Sequence, residues 1–148
     1  MQLAEELDGG GSLAADTVGK VYLAWHGNPY KNGEANRRVW VARSTDDGKT
    51  FAREVAAYSE PTGACGCCGM RAFADDRGAL YILYRAAKKS IHRDMVLLVS
   101  NDHGKEFFGN RVAKWELNAC PMSTAAGVPV WGLVAAFTRP EGEFVIVY

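Results

Sequence analysis

The octapeptide STDDGKTF at positions 44–51 has a near copy, SNDHGKEF, at positions 100–107. Each copy directly follows an apolar run that reads as a β-strand. In the shared pattern S-x-D-x-G-x-[T/E]-F, the Asp can accept backbone N–H groups of a turn, and the Gly supplies a backbone conformation that other residues resist. The pattern therefore predicts a polar turn that ties one strand to the next. The residues that define the two turns are Ser44, Asp46, Gly48, Phe51, Ser100, Asp102, Gly104 and Phe107.

Strand-like segments make up most of the remaining sequence, and no stretch keeps a convincing helical period. They are rich in β-branched and aromatic residues, and Gly, Asp or Asn bounds most of them. The clearest are KVYLAW at 20–25, RVWVARS at 38–44, ALYILYR at 79–85, MVLLVS at 95–100, VWGLVAAF at 130–137 and EFVIVY at 143–148. An all-β fold is therefore expected.

The strands and turns repeat as a unit. LAADTVGKVYLAW aligns with AFADDRGALYILY, and a third copy begins at STAAGVPVWGLVAAF. A repeat of roughly fifty residues with several strands per unit is the signature of a β-propeller blade. We expect blades of four antiparallel strands, about two and a half to three per chain. Blade 1 is expected over about 11–58, blade 2 over about 66–115 and blade 3 over about 119–148.

The repeated turn resembles the Asp box of the sialidase-like, Asp-box-repeat (BNR) β-propeller family. The resemblance covers nearly the whole chain, from about Gly11 to the end. It implies that the turns are structural and lie on the face away from the binding site. Acidic or ionisable residues in the turns are therefore not expected to be catalytic, although they look like paired acids. These residues are Asp46, Asp47, Asp102 and His103.

The number of blades is too small for a closed ring, since propellers usually have about four to eight. An open arc would leave sheet edges exposed, which natural proteins avoid. The chain is expected either to be a piece of a longer protein or to dimerise into a ring of about six blades. The third unit lacks an outer strand, and residues 1–7 of the same or another chain could supply it.

Four cysteines form the most unusual local pattern. They are Cys65, Cys67 and Cys68 in ACGCCGM, and Cys120 in ACPM. Both segments precede inner strands, which places them on one rim. Four thiolates could hold Zn²⁺ or Cu⁺, with the thioethers of Met70 and Met122 in reserve. Two alternatives remain open, namely disulfides such as Cys68–Cys120 with a local pair, or buried reduced thiols.

The same rim is expected to carry the loops at 26–37 and 86–94. Arginine side chains there suit recognition of a carboxylate, because the guanidinium offers two parallel donors. The ligand-binding candidates are Arg71, Arg85, His92 and Arg93, and the weak catalytic candidates are Arg71, Arg93 and Asp94. The resemblance implies an arginine cluster, a Tyr nucleophile assisted by Glu and an Asp acid/base. However, the F/Y-R-I-P motif of the family is absent, and no Tyr–Glu pair stands out.

Charge and hydropathy narrow the possible partners. Lys and Arg together number 17, as do Asp and Glu, so no basic excess favours nucleic acid. No apolar run has the length of a membrane span, so no membrane partner is expected. The sequence as written has no signal peptide, which gives a cytoplasmic location by default, or a secreted or periplasmic one if a leader was removed.

The predicted function is a non-catalytic, sialidase-like propeller module that binds a ligand or partner on the cysteine-bearing rim. The ligand would be a carbohydrate, a peptide or a metal ion. One alternative is a sialidase-type glycoside hydrolase, present as a fragment or with a site assembled across chains. A further alternative is a protein that binds a soft metal, zinc or copper, through its cysteines.

Overall fold

A computed structural model describes residues 11–28, 33–89 and 91–120, and the backbone of three strands at 125–129, 133–138 and 144–147. The described residues are all-β apart from a 3-10 helix at Glu34–Asn36. No helix among them is long and apolar enough to cross a membrane. The prediction of an all-β chain is therefore confirmed.

The strands form three antiparallel sheets. The first sheet has the order β1-β2-β3-β4, the second β5-β6-β7-β8 and the third β11-β10-β9. Their bounds are β1 Ser12–Ala15, β2 Val21–Gly27, β3 Arg38–Ser44, β4 Val55–Ala56, β5 Arg71–Ala74, β6 Leu80–Arg85, β7 Met95–Ser100, β8 Phe108–Ala113, β9 Ala125–Pro129, β10 Leu133–Thr138 and β11 Phe144–Val147. Consecutive strands are neighbours throughout, which is the up-and-down order of a propeller blade.

The first two sheets confirm the prediction of four-stranded antiparallel blades in a partial propeller. The third sheet has three described strands, and residues 1–7, which were predicted to complete it, lie outside the described residues. Closure of a ring by a second chain stays a prediction.

The apolar core lies between the first and second sheets. Tyr22 and Val41 of the first sheet and Leu80, Ile82 and Leu98 of the second are almost fully buried in it. The innermost strands of the two sheets also meet directly, because the Ser12 hydroxyl accepts a hydrogen bond from the backbone N–H of Ala72 at 2.9 Å. Side chains alternate in each strand, so the inward residues of both sheets can pack as one layer.

Both polar turns join the third strand of a sheet to the fourth, as predicted. In the first turn, the Ser44 hydroxyl donates to Asp46 at 2.7 Å and accepts from the N–H of Gly48 at 2.9 Å. Asp46 also accepts the N–H of Thr50 at 2.9 Å. Gly48 has φ 79°, where only glycine is unstrained, so its place in the pattern follows from the backbone.

The second turn repeats these bonds. Ser100 donates to Asp102 at 2.7 Å and accepts from Gly104 at 2.8 Å, while Asp102 accepts the N–H of Glu106 at 3.0 Å. His103, which corresponds to Asp47, lies against the first sheet, with a ring nitrogen 3.1 Å from Lys20 Nζ. These contacts give the turn residues structural roles.

The antiparallel order places two sets of connections at opposite ends of the sheets. We call the end with residues 44–51, 100–107 and the β1–β2 and β5–β6 turns the turn rim. The cysteine rim is the opposite end, with residues 33–37, 62–70, 86–94 and 114–120.

Candidate ligand and metal sites on the cysteine rim

Backbone hydrogen bonds hold the cysteine-bearing segment between the two blades. The N–H of Ala64 donates to Glu34 O at 3.1 Å, and the N–H of Cys65 donates to Arg85 O at 2.9 Å. Gly63 has φ 63°, and a β-carbon there would lie 2.8 Å from Glu34 O and 3.0 Å from the carbonyl carbon of Ala87. The segment can therefore cross this gap only with glycine at position 63.

The four cysteine sulfurs converge, and Cys65 lies at their centre. Its Sγ is 3.2 Å from that of Cys68, 3.4 Å from that of Cys120 and 3.7 Å from that of Cys67. The sulfurs of Cys68 and Cys120 are 4.0 Å apart. Cys67 and Cys120 are placed in disulfide contact, so Cys67, rather than the expected Cys68, is the nearest partner of Cys120.

Met70 has a different role from the one considered for it. Met70 is almost fully buried in the apolar core between the sheets. The cluster that surrounds the cysteines contains Cys65, Cys68 and Ala87, with Cys120 packed against it. Met70 therefore supplies packing, and Met122 lies outside the described residues.

The surroundings keep the Cys65 thiol protonated in the absence of a metal. The hydrogen bond with Cys68 and burial both raise the pKa of Cys65, because each disfavours the thiolate. Two nearby charges act on this pKa in opposite directions, since Arg93 lowers the pKa of Cys65 and Glu34 raises it. The Cys65 thiol is thus buried and is not primed as a nucleophile.

Two of the predicted arginines are buried and internally bonded. The Arg85 guanidinium stacks over Trp115, 4.1 Å from the ring centroid, and donates to Arg93 O at 2.7 Å. Arg93 donates to Glu34 at 2.6 Å. Arg93 joins the loops of the two blades, Arg85 stays within the second blade, and neither side chain extends into open solvent.

The remaining predicted site residues differ in exposure. Arg71 is exposed, and its guanidinium donates to the carbonyl of Met70 at 3.0 Å. Asp94 is buried and accepts the N–H of Trp115 at 2.8 Å. His92 is half-buried, with Nδ1 3.6 Å from Glu116. The structure therefore does not bring Arg71, Arg93 and Asp94 together as an open arginine-and-acid site.

A cleft of about 600 Å³ lies between the segment that follows the first sheet and the outer half of the second sheet. The Tyr58 ring forms one wall of the cleft. It lies so close over Gly109 that a β-carbon at this position would clash with the ring. Positively charged side chains around it come from the 86–94 loop and β8. The residues that line the cleft include Tyr58, Lys88, Lys89, His92, Asp94 and Arg111.

Sequence reasoning missed Glu34 and the cleft between the blades. Glu34 lies in the predicted 26–37 loop, and its carboxylate is within 4.8 Å of the Cys65 and Cys67 sulfurs. Its contacts with Arg93 and the cysteines join distant segments, so no local pattern signalled them. A glycine within a strand, Gly109 in β8, is the one sequence signal of the Tyr58 contact.

Comparison with known proteins supports the fold. No protein-family model and no curated protein matches the chain. Among solved structures, one titled "Hadza microbial sialidase Hz136" is similar with a TM-score of 0.62 and 18% sequence identity. The match covers 92% of this chain and 30% of the chain of that structure. The chain thus has a sialidase-like fold and spans about a third of the length of that sialidase.

Proposed function

We propose that the chain is a non-catalytic, sialidase-like propeller module that binds a carboxylate-bearing carbohydrate in the cleft beside the cysteine rim. The observation that carries the proposal is the charge of the cleft. Lys88, Lys89 and Arg111 line it with Asp94 as the one carboxylate among its described lining residues. Asp94 is itself 3.4 Å from Arg111, so the two lysines provide the positive charge that is left for a ligand.

The size and chemistry of the cleft fit a small polar molecule. Its volume of about 600 Å³ lies within the range of roughly 300–1,000 Å³ that is usual for small-ligand sites. Tyr58 offers an aromatic face, which suits the C–H surface of a sugar ring. Lys88 and Lys89 are exposed, and no ion pair to either is found among the described residues. A carboxylate would therefore meet cations without first displacing a protein partner.

The bonding of the candidate catalytic residues supports binding without hydrolysis. Arg93 is engaged with Glu34, and Asp94 is engaged with the backbone of Trp115. Burial raises the pKa of Tyr84 to about 12, so its hydroxyl stays protonated at neutral pH and is a poor nucleophile. The structure titled a sialidase shares the fold, and sialoside hydrolysis is the alternative to the proposed binding.

The test is a titration of the full chain with N-acetylneuraminic acid and glucuronic acid, followed by chemical-shift changes, with galactose as the uncharged comparison. We expect both acids to bind and to bind less tightly as salt rises. Lys88→Ala/Lys89→Ala should weaken binding about tenfold, because two charge-assisted contacts are lost.

The matched control is Lys49→Ala/Lys105→Ala, which removes the same charge from exposed positions on the turn rim and should leave binding unchanged. Equal loss in both double variants would contradict the cleft assignment. Turnover of a fluorogenic sialoside by the wild-type chain would replace the proposal with the hydrolase alternative.

A further inference from the structure

The four cysteines come from two segments of the chain, yet the sulfurs of Cys65, Cys68 and Cys120 lie within 4.8 Å of one another. Cys67 and Cys120 are separated by 53 positions, and Cys65 contacts the sulfurs of all three other cysteines within 3.7 Å. Cys65 and Cys68 are buried, so the packing around them fixes their positions. Such convergence needs a chemical reason, because bringing distant segments together costs chain entropy.

The separations of three of the sulfurs, those of Cys65, Cys68 and Cys120, match a tetrahedral metal shell. Zinc–sulfur bonds of about 2.3 Å in a tetrahedron put neighbouring sulfurs about 3.8 Å apart. The separations between 3.2 and 4.0 Å around Cys65, Cys68 and Cys120 lie close to this value. The Cα atoms of Cys67 and Cys120 are 7.3 Å apart, beyond the roughly 4.4–6.8 Å that disulfides usually span. A metal ion at the centre accommodates that wider backbone spacing.

A buried cation lies directly beside the sulfurs. Arg85 is 3% exposed, and its backbone carbonyl accepts the N–H of Cys65 at 2.9 Å, which places the residue beside the cysteine cluster. Removing a guanidinium from water is costly unless an anion compensates for it. Thiolates provide that compensation, whereas neutral thiols provide little.

The surrounding charges also favour a divalent ion. Glu34 lies 2.6 Å from Arg93 and 3.6 Å from Arg37, and its carboxylate is within 4.8 Å of two cysteine sulfurs. With Arg85 included, these groups carry two more positive charges than negative ones. Four thiolates around a divalent cation carry two negative charges, so the region as a whole becomes neutral. A monovalent copper ion in the same shell would leave one negative charge uncompensated.

We propose that in the reduced chain Cys65, Cys68 and Cys120 bind Zn²⁺ and Cys67 adds the fourth thiolate, so that the site joins the segment before β5 to the segment before β9. The site is structural, because four protein ligands leave no open position for a substrate. Zinc replaces the thiol protons on binding, so the affinity rises with pH. The proposal uses none of the cleft residues and stands independently of the proposed function.

The experiment adds Co²⁺ to the full chain, purified in a phosphine reductant and freed of metal by a chelator. One equivalent per chain should bind with sulfur-to-cobalt charge-transfer absorption and the intense visible bands of tetrahedral cobalt. Zn²⁺ should displace it. Four thiols should react with a thiol reagent in the metal-free chain and should be protected after zinc is added.

Two variants locate the site. Cys120→Ser removes a ligand from the second segment and should weaken cobalt binding about 100-fold or more. Met70→Leu is the matched control, because it changes a nearby sulfur of similar volume that the structure places in the apolar core. It should keep the wild-type spectrum and affinity.

Three results would overturn the proposal. They are a reduced wild-type chain with four reactive thiols that takes up no cobalt, an unchanged spectrum and affinity in Cys120→Ser, or loss of the spectrum in Met70→Leu. The wild-type measurement decides the question even if Cys120→Ser does not fold.

Discussion

The turn rim and the cysteine rim are built by different kinds of contact. On the turn rim, each serine and aspartate bonds to atoms within four residues of itself, and the same bonds occur in both blades. On the cysteine rim, the principal contacts join segments far apart in the chain, such as Arg93 with Glu34 and Cys65 with Cys120.

The contrast between local and long-range contacts explains how the fold can repeat its turns in every blade and still contain a site that occurs once. A turn made from local hydrogen bonds can recur in every blade, because both partners of each bond lie in the same short segment. The substitution of His103 for Asp47 and Glu106 for Thr50 leaves the shared bonds in place. A site made from loops of different blades has no such copy, and its residues differ from one blade to the next.

The largest expected effect concerns Gly63, where the segments of the cysteine rim cross. Gly63→Ala places a β-carbon 2.8 Å from Glu34 O at φ 63°, with backbone atoms on every side that cannot move aside. We expect a loss of about 2 kcal/mol or more in the free energy of unfolding. Urea unfolding followed by far-UV circular dichroism measures it.

The matched control is Gly33→Ala, because Gly33 also has a positive φ, 91°, but a β-carbon there meets no atom of the described residues within 4 Å. It should show the backbone strain alone, about 1–3 kcal/mol, because φ 91° with ψ 171° is a conformation that only glycine adopts readily. Equal destabilisation by the two variants would show that the crossing of the segments does not depend on the close approach at Gly63.

A smaller effect is expected on the turn rim. Ser100→Ala removes a buried hydroxyl and leaves the N–H of Gly104 without the bond that it makes at 2.8 Å. We expect a loss of about 1–2 kcal/mol, measured by the same urea unfolding, with Ser44→Ala showing a similar loss. The double variant should show the sum, because the two serines share no hydrogen-bond partner.

Thr45→Ala, next to the first serine and exposed, is the control for this pair and should change stability little. The cobalt spectrum of the serine variants should match that of the wild type. A changed spectrum would mean that the two rims are coupled and that the turns do not form independently of the cysteine rim.

The smallest effect concerns the pH dependence of the first turn. Hydrogen bonds from the Thr50 side chain, from the Thr50 backbone and from Ser44 lower the pKa of Asp46 to about 2. A lowered folded-state pKa contributes stability above the unfolded value of 3.8 that is lost as the pH falls toward about 2. The wild-type melting temperature should therefore fall across this window more than that of Asp46→Asn.

Melting temperatures from pH 5 to pH 2 test this expectation. The difference between wild type and Asp46→Asn should be largest at pH 5 and smallest at pH 2. Asp76→Asn changes an exposed carboxylate outside both turns and should follow the wild-type curve. A constant difference at every pH would show that Asp46 stabilises the turn without its charge.

The strands and the turns were predictable because their causes are local. The β-branched and aromatic residues of KVYLAW and ALYILYR predict β2 and β6, and the S-x-D-x-G pattern predicts bonds that close within a few residues. The candidate site was predictable only in part. The cysteines were assigned to one rim from their position before inner strands, but the contact of Cys67 with Cys120 was not foreseen.

The arginines show the same limit. Arg85 and Arg93 were expected to face a ligand, and the structure buries them against Trp115 and Glu34. Neither Trp115 nor Glu34 is near its arginine in the sequence. Which charged residue meets solvent depends on how the loops of two blades pack, and no local pattern encodes that packing.

By itself, the sequence determined the repeated strand order and the two stapled turns, since hydrogen bonds and side-chain alternation within a few residues are sufficient to specify them. Only the tertiary structure decided that Glu34, Arg85, Arg93 and four cysteines lie together, and that Tyr58 covers Gly109 to make a cleft. The physical reason is that these contacts depend on the relative positions of two packed sheets, which the apolar core between them sets.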